Sequence, residues 1–494
     1  MKHIILLNLL FVSVLVGCLE NEDSERAAEI VAIDSLVEGM LSRFDIPGVA
    51  IAVTKDSSLF YANAYGLSNV ESKKTLTVDQ NFHFASVSKP FVATAIVQLA
   101  EQGKLQLTDK LTEHLPYFKM DDERYQEITI QQMLNHTSGI GDVFDYEWDK
   151  PQYDEEASER FVRSLADEEM WFGPGEDWSY SNMAYDILGD VIAKVSGKSF
   201  EEYIRTEIFV PLGMNTASFI YPEIAEARRT SPHTWKGKKI LSEIYPYNRI
   251  HAPSSTLNAS VLDLSKWAIW NLQHGEGGEV NLFSPSIHQK LWEPTTSFAN
   301  KPVIGLSWFL GEHKETKVVW HGGGDTGYRS YVLMAPEQNI SVVIASNFEL
   351  SPVDELAKAI LDIMLEKEVS PVQFYVGVPF VEKYQSDGLA VAKDWYQSLD
   401  ADSVERQYFV MGEDGLSQIA YYADYLGLKD DAKVLFEYNL EIHPQSVDAH
   451  NGVAHIHKKM EQDSLAIHYY EQALTIDPDN ETAQSNLRDF GVID

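Results

Sequence analysis

Strand-like segments occur in two groups that lie far apart in the chain, and this separation most limits the possible folds. Val49–Val53 and Leu59–Ala62 form the first group, joined by a short polar turn. The second group is Val318–Trp320, Tyr331–Met334 and Ser341–Ala345. Between the groups, helix signals are interrupted by loops that contain Pro and Gly. The pattern predicts an α+β domain with one sheet assembled from both ends of the domain.

The net charge excludes several classes of partner. The 494 residues include 39 Lys and Arg against 75 Asp and Glu, so the formal net charge is −36. A field of this sign repels phosphate backbones and anionic lipid headgroups. We therefore expect no nucleic acid and no electrostatic membrane binding, and we interpret the charge as a source of solubility. A hydrophobic content of 44% excludes a wholly disordered or fibrous chain.

The N-terminus has the pattern of a secretion signal. Residues 1–17 begin with the basic Lys2 and continue as an apolar run, Ile4–Val16, which is short for a membrane span. The run ends in Leu15-Val16-Gly17-Cys18, which resembles a bacterial lipobox. This resemblance implies that Cys18 is lipidated and anchors the protein in the cell envelope, facing the periplasm or the surface. The alternative is an ordinary secretory signal with an incidental cysteine. Cys18 is the only cysteine, so an intramolecular disulfide is excluded.

The C-terminal part contains an internal repeat. Small, aromatic and proline residues recur with a period of 34 residues, in the pairs Ala420 and Ala454, Ala432 and Ala466, Phe436 and Tyr470, and Pro444 and Pro478. This pattern resembles the tetratricopeptide repeat, with about two repeats and a terminal cap. The alternative is an unrelated pair of helical hairpins. Such repeats bind peptides or partner proteins, or brace a neighbouring domain.

Ser86 and Lys89 form the one Ser-x-x-Lys pattern in the chain. They stand at the start of a predicted helix, from about Ser86 to Gln102, where a spacing of three residues places both side chains on one face. A serine hydroxyl needs a neighbouring base to become a strong nucleophile. Lysine can serve as that base where burial or a nearby cation lowers its pKa. The alternative interpretation of Lys89 is an ordinary surface lysine.

A second polar group follows Gly173–Gly175. In the segment Trp178–Asn182, Tyr180 offers a phenol that can carry a proton, and Asn182 offers an amide. The same residues are compatible with a simple helix start, in which Ser181 or Asn182 is the N-terminal cap.

A third group, His321-Gly322-Gly323-Gly324, ends a predicted strand. Glycines there permit close approach of a substrate to the backbone, whose N–H groups can stabilise an oxyanion. The alternative is a flexible turn that happens to contain a histidine.

Other familiar catalytic patterns are absent from the sequence. It contains neither His-Glu-x-x-His nor Gly-x-Ser-x-Gly. Gly197-Lys198-Ser199 resembles the end of a phosphate-binding loop, but Ile192 occupies the position where that loop needs glycine. We therefore predict neither a metal nor a cofactor.

Ser-x-x-Lys, Tyr-Ser-Asn and a strand-borne His-x-Gly, in this order, resemble the serine β-lactamase-related family. The family includes class C β-lactamases, DD-peptidases, D-aminopeptidases and related esterases. Further segments support the resemblance: Met133–Gly139, Phe172–Gly175, Tyr185–Gly189, Pro211–Met214 and Gly305–Trp308. The resemblance implies an antiparallel sheet flanked by helices, with a helical lobe and the active site between them.

The resemblance also implies roles for individual residues. Ser86 would be the acylated nucleophile and Lys89 its activating neighbour. Tyr180 would carry the proton between nucleophile and leaving group, while Asn182 would orient the substrate and Lys89. The backbone N–H groups of Ser86 and Gly324 would form the oxyanion hole.

At position 321 the sequence differs from many relatives in the family. His321, with Gly323 and Gly324, would line the substrate strand, but many β-lactamases carry lysine in place of His321. An unperturbed histidine has a pKa of about 6.5. We therefore expect a mostly neutral imidazole that donates one hydrogen bond, unless the acidic surface raises its pKa. The stretch Ala252–Thr256 also departs, because many relatives have a Gly-rich turn there.

Together these features predict a serine hydrolase that forms an acyl-enzyme with an ester, a D-amino-acid peptide or a β-lactam-like substrate. The alternative is an acylation-incompetent sensor or scaffold that presents the repeats to a protein partner. The predicted division is a signal peptide over 1–17, a tether over 18–28, the hydrolase domain over 29–368, a linker or helical connector over 369–410 and repeats over 411–494.

Overall fold

The computed structural model describes residues 24–274 and 280–493. Within them the chain forms two compact units, one of residues 24–233 and 241–370, the other of 234–240 and 371–493. The predicted lipidation site, Cys18, lies outside the described residues. No helix in the described part of the chain is long and apolar enough to cross a membrane.

The strands of the described residues are β1 (Gly48–Lys55), β2 (Ser58–Asn69), β3 (Lys74–Thr75), β4 (Phe82–His83), β5 (His233–Trp235), β6 (Lys239–Leu241), β7 (Asn258–Ala259), β8 (Phe309–His313), β9 (Thr316–Asp325), β10 (Tyr328–Ala335), β11 (Ile340–Ser346), β12 (Phe374–Tyr375) and β13 (Phe409–Val410). The first unit contains a seven-stranded antiparallel sheet in the order β3-β2-β1-β11-β10-β9-β8. β1 pairs with β11, and Ile51 lies opposite Ile344. The prediction of one sheet built from both ends of the domain is confirmed.

The helices are α1 (residues 24–44), α2 (Lys89–Glu101), α3 (Leu111–His114), α4 (Ile130–Leu134), α5 (Ala157–Ser164), α6 (Asn182–Ser196), α7 (Phe200–Ile204), α8 (Ala252–Ser255), α9 (Val261–Leu272), α10 (Pro285–His288), α11 (Val353–Met364), α12 (Gly377–Asp387), α13 (Leu389–Ser398), α14 (Gly412–Tyr425), α15 (Lys429–Ile442), α16 (Val447–Lys459), α17 (Asp463–Ile476) and α18 (Glu481–Asp489). A 3₁₀ turn, Ser86–Ser88, leads directly into α2.

The two faces of the sheet carry alternate residues of each strand. Ala50 and Val343 belong to one large buried cluster with residues of α2, α6 and α9. In that cluster the Phe91 ring of α2 stacks on Trp267 of α9, with ring centroids 4.0 Å apart, and such a pair is worth about 1 kcal/mol beyond its burial. The alternate residues of these strands point to the second face of the sheet, and α11 packs against β10 and β11. The antiparallel sheet is thus flanked by helices, as the resemblance implied.

The second unit ends in five consecutive helices, α14–α18. α15 begins at Lys429 and α17 at Asp463, which preserves the 34-residue period of the sequence. Ala432 and Ala466 are fully buried in these helices, as small residues at helix crossings must be. The structure thus contains helices at the predicted period, while the tetratricopeptide nature of the repeat stays a prediction.

Candidate active site

Ser86 opens the 3₁₀ turn that precedes α2, and its side chain is partly exposed. Ala85, just before it, has φ 47° and ψ −129°, a conformation that costs a non-glycine residue on the order of 1–3 kcal/mol. The amides of Val87 and Ser88 donate to the carbonyls of Phe84 and Ala85. As the first residue of the turn, Ser86 has an amide without an acceptor inside the turn. The strained entry therefore presents both the hydroxyl and the amide of Ser86 at the helix start.

Lys89 is fully buried and contacts the nucleophile directly. Its Nζ donates to Ser86 Oγ at 3.0 Å, to Asn182 Oδ1 at 2.5 Å and to the Ser254 carbonyl at 2.8 Å. Burial lowers the pKa of Lys89 to about 7, although Asp186, Asp142 and Asp325 act in the opposite direction. A substantial fraction of Lys89 is therefore the neutral amine at neutral pH, which can accept a proton from Ser86.

Tyr180 is a second neighbour of Ser86. Its hydroxyl is hydrogen bonded to Ser86, and desolvation raises its pKa well above 10. Lys89 Nζ lies 4.9 Å from the centroid of the Tyr180 ring. Tyr180 is accordingly a phenol at neutral pH, so it can donate a proton but does not serve as a resident base.

The start of α6 fixes Asn182. Ser181 is the N-cap, and its Oγ accepts the Ala184 amide at 3.0 Å. The Asn182 amide and side-chain Nδ2 donate to Asp142 Oδ1 at 2.7 and 3.0 Å. This orientation turns Oδ1 of Asn182 towards Lys89. Both interpretations of this segment therefore apply. Ser181 caps the helix, and its neighbour Asn182 contacts Lys89.

His321 is buried, with 1% of its surface exposed. Its Nδ1 lies 2.7 Å from the Gly322 carbonyl, so Nδ1 carries the proton and Nε2 presents a lone pair. Nε2 has no hydrogen-bond partner within the described residues. Burial, with Lys89 nearby, lowers the pKa of His321 to about 3. The neutral imidazole agrees with the expectation, and the acidic surface does not raise its pKa. The nitrogen without a partner is an acceptor, whereas a donor was expected.

His136 also belongs to the site. It was assigned no role from the sequence, although it lies within the segment Met133–Gly139 that supports the family resemblance. Its ring stacks on Tyr180 with centroids 4.3 Å apart. Its Nδ1 accepts the Ser181 amide at 3.1 Å, so the proton of the neutral ring is on Nε2. Burial, followed by Lys89 and His321, lowers the pKa of His136 well below its usual value. His136 thus holds the Tyr180 ring without adding a charge.

The glycines of β9 allow the strand to lie directly against the nucleophile segment. A Cβ on Gly323 would stand 2.1 Å from the Phe84 carbonyl oxygen, and one on Gly324 would meet the Arg329 side chain. Only a residue without a side chain fits at position 323. The close approach brings β9 beside Ser86, where the resemblance places the Gly324 amide in an oxyanion hole.

Three carboxylates surround this centre and were not singled out from the sequence. Asp142 binds Asn182, Asp186 binds His251 Nδ1 at 2.6 Å, and Asp325 binds His83 Nε2 at 2.7 Å. For Asp325, the sequence contained one signal: this residue directly follows the glycines of β9. No group of His, Cys, Asp and Glu side chains in the described part of the chain has the arrangement of a metal site.

The profile of the Beta-lactamase family matches residues 33–364, which include all of these side chains. The chain belongs to the beta-lactamase family. Members of this superfamily are serine hydrolases, and the Ser-x-x-Lys pattern of Ser86 and Lys89 lies within the matched residues.

Relatives in sequence include Protein flp of Staphylococcus aureus (strain COL), 28% identical over 327 residues, which are 66% of this chain and 64% of that protein. The aligned part is therefore less than two thirds of the Flp length. Penicillin-binding protein 4* of Bacillus subtilis (strain 168) is 28% identical over 341 residues, 64% of this chain and 71% of that protein.

Solved structures show the same fold. The octameric penicillin-binding protein homologue from Pyrococcus abyssi superposes with a TM-score of 0.62 at 25% identity, over 69% of this chain and 78% of that one. SurE superposes with a TM-score of 0.60 at 21% identity, over 71% of this chain and 79% of that one; at this identity the likeness concerns the fold alone.

The contact between β9 and the nucleophile segment leads to a stability prediction. Gly323→Ala forces its Cβ against a backbone carbonyl, so we expect the free energy of unfolding to fall by about 2 kcal/mol or more. Urea unfolding followed by tryptophan fluorescence measures it. Gly322→Ala is the matched control, because its Cβ would stand 3.1 Å from the Tyr331 ring, which can shift. Equal losses in the two variants would contradict the close approach at Gly323.

Proposed function

We propose that this protein is a serine hydrolase that acts through an acyl-enzyme on Ser86. The observation that carries the proposal is the contact of 3.0 Å between Lys89 Nζ and Ser86 Oγ, combined with a pKa of about 7 for Lys89. A buried amine of this pKa is a base near neutral pH, and it touches the nucleophile it would activate.

The geometry supports an order of proton transfers. Neutral Lys89 takes the proton of Ser86 as Oγ attacks the substrate carbonyl, and the amides of Ser86 and Gly324 stabilise the oxyanion. Tyr180 then gives its phenolic proton to the leaving group and regains a proton from the Lys89 ammonium. In the second half, water attacks the acyl-enzyme and loses its proton to Lys89. Lys89 then gives this proton to Ser86 Oγ as the bond between Oγ and the acyl carbon breaks. Each group thus returns to its starting state.

The substrate class follows from the absence of a cation at position 321. A neutral imidazole carries no charge that would attract a carboxylate. We propose esters and amides, including D-amino-acid peptides, that carry no carboxylate near the leaving group. Penicillins carry one, so they would be poor substrates.

The alternative function, a scaffold that does not acylate, is less well supported. Lys89 contacts Ser86 and Asn182 and lies against the Tyr180 ring, and a scaffold has no need for a buried lysine of lowered pKa. Partner binding by the C-terminal helices is compatible with either function.

Covalent labelling tests the nucleophile. We expect a fluorophosphonate probe or an activated ester to add one adduct to the peptide that contains Ser86, as measured by mass spectrometry, and Ser86→Ala to carry none. Ser88→Ala is the matched control: Ser88 lies in the same turn, but it is buried and its Oγ accepts the Leu257 amide. An adduct that persists in Ser86→Ala would overturn the assignment.

The pKa of Lys89 determines the expected pH dependence. Only the neutral amine accepts the Ser86 proton, so kcat/KM for an uncharged ester should rise about tenfold per pH unit below 7 and level off above it. His321 and Tyr180, with pKa values of about 3 and well above 10, do not titrate between pH 5 and 9. Initial rates across this range measure the profile, and Lys317→Gln, at an exposed lysine of β9, should leave it unchanged. A profile that is flat through pH 7 would contradict the role of Lys89.

The residue at position 321 should determine whether the enzyme prefers substrates with or without a carboxylate. His321→Lys introduces a cation, so we expect the ratio of kcat/KM for a chromogenic cephalosporin to that for an uncharged ester to rise roughly tenfold, the effect of about 1.4 kcal/mol. Measuring both substrates with both proteins cancels a general loss of activity. An unchanged ratio would show that position 321 does not determine the charge preference.

We also propose that Cys18 anchors the protein in the cell envelope, on the basis of the lipobox-like sequence. Cys18→Ser should move the protein from the membrane fraction to the soluble fraction of the cells that express it. Immunoblots of the two fractions measure the change. Identical fractionation of both proteins would refute the anchor.

A further inference from the structure

Asp325 lies on the same face of β9 as the substrate-strand residues. His321, Gly323 and Asp325 occupy alternate positions of the strand, so their side-chain directions coincide. That face is turned towards the segment leading to Ser86, because a Cβ on Gly323 would meet the Phe84 carbonyl. Asp325 contacts the same segment through His83. The carboxylate therefore stands beside the nucleophile turn.

Two donors fix one oxygen of this carboxylate. Asp325 Oδ2 accepts from His83 Nε2 at 2.7 Å and from the hydroxyl of Ser255. His83 and Ser255 are buried, with 0% and 3% exposure. Ser255 lies in the segment Ala252–Thr256, where many relatives have a Gly-rich turn. Its hydroxyl is therefore one of the differences between this chain and those relatives.

The second oxygen of Asp325 is available. Within the described residues, Oδ1 accepts no hydrogen bond, and the Asp325 side chain keeps 10% of its surface exposed. The neighbouring carboxylates differ. Asp142 Oδ1 receives the amide and Nδ2 of Asn182, and Asp186 is fully buried. Asp325 thus offers a held, partly exposed negative oxygen beside the catalytic centre.

The direction of β9 tells which part of a substrate would meet this oxygen. His321 stands near Lys89, which contributes to lowering its pKa. Lys89 in turn lies against the ring of Tyr180, which protonates the leaving group in the proposed reaction. Asp325 is four residues farther, about 13 Å along an extended strand, beyond the Gly324 amide. The leaving group therefore lies at the His321 end and the acyl group at the Asp325 end.

We propose that Asp325 selects substrates whose acyl group carries a cationic amine, such as a peptide with a free N-terminal ammonium. The ammonium donates to Oδ1, while His83 and Ser255 act as positioning residues that hold Oδ2. This inference rests on the proposed function, since it assigns the acyl-side specificity of the same site. The two ends of β9 would then differ in charge: position 321 has no cation to attract a carboxylate, and Asp325 has a negative oxygen that attracts an ammonium group.

The experiment uses methyl esters matched in shape and different in charge. D-alanine methyl ester is compared with methyl isobutyrate, in which a methyl group replaces the ammonium, and β-alanine methyl ester with methyl butyrate. Acid release at pH 7 gives kcat/KM for each. We expect the full-length protein to prefer the better ammonium ester over its neutral partner at least tenfold. Asp325→Asn should bring the ratio of the two kcat/KM values close to one. The ratio cancels any effect of the lost charge on Lys89.

Two further variants separate charge recognition from structure. Glu337→Gln removes an exposed carboxylate that pairs with Lys317 and should leave the preference unchanged. Ser255→Gly keeps the Asp325 charge but removes one donor, so the preference should fall less than in Asp325→Asn, through KM rather than kcat.

The outcomes distinguish this inference from the proposed function. Hydrolysis that depends on Ser86 but shows no preference for ammonium esters would overturn the role of Asp325 and leave the acyl-enzyme intact. Equal losses on charged and neutral esters in Asp325→Asn would also overturn it, since they indicate a structural role. Absence of any turnover together with absence of a Ser86 adduct would instead refute the proposed function.

Discussion

The burial of Lys89 is the constraint on which the rest of the site depends. An ammonium group without solvent is costly unless its protons are satisfied, and here Asn182, Ser254 and Ser86 provide the three acceptors. These acceptors come from the start of α6, from α8 and from the turn before α2. The packing of these three helices is thus fixed by one side chain. The same desolvation lowers the pKa of Lys89 to about 7, so the interaction that organises the site also produces its base.

The strand side of the site depends on steric fit rather than on charge. β9 approaches the nucleophile segment closely because Gly323 has no Cβ, and the same segment reaches Ser86 through the strained backbone of Ala85. Strain and close approach are stable only where surrounding packing enforces them. The buried cluster of α2, α6 and α9 beneath the sheet supplies that support. A rigid core therefore holds the glycines of β9 against the segment that leads to Ser86, and the proposed reaction uses the amides of Ser86 and Gly324 there.

The sequence predicted what periodicity and motif order encode. Short, continuous apolar runs located β1, β10 and β11. Their presence in one sheet was expected because strands at both ends of a domain with helices between them favour one shared sheet. Ser86, Lys89, Tyr180, Asn182 and His321 were singled out by spacing, and the structure brings them together. The tautomer of His321 depends on its contact with the Gly322 carbonyl, and the contact of Ser255 with Asp325 joins positions 70 residues apart. Neither contact leaves a pattern in the sequence. The role of His136 was also not predictable, because it depends on the packing of its ring against Tyr180.

The charges of the site explain why position 321 and the burial of Lys89 are linked. A second lysine at position 321 would repel the Lys89 ammonium and so help to lower its pKa. Neutral His321 supplies no such repulsion, while Asp186, Asp142 and Asp325 all favour the protonated amine. Desolvation must then produce the entire depression of the pKa, which requires Lys89 to be fully enclosed. In the proposed reaction, a neutral residue at 321 therefore goes with a leaving group that carries no carboxylate and with a Lys89 that depends on burial alone for its lowered pKa.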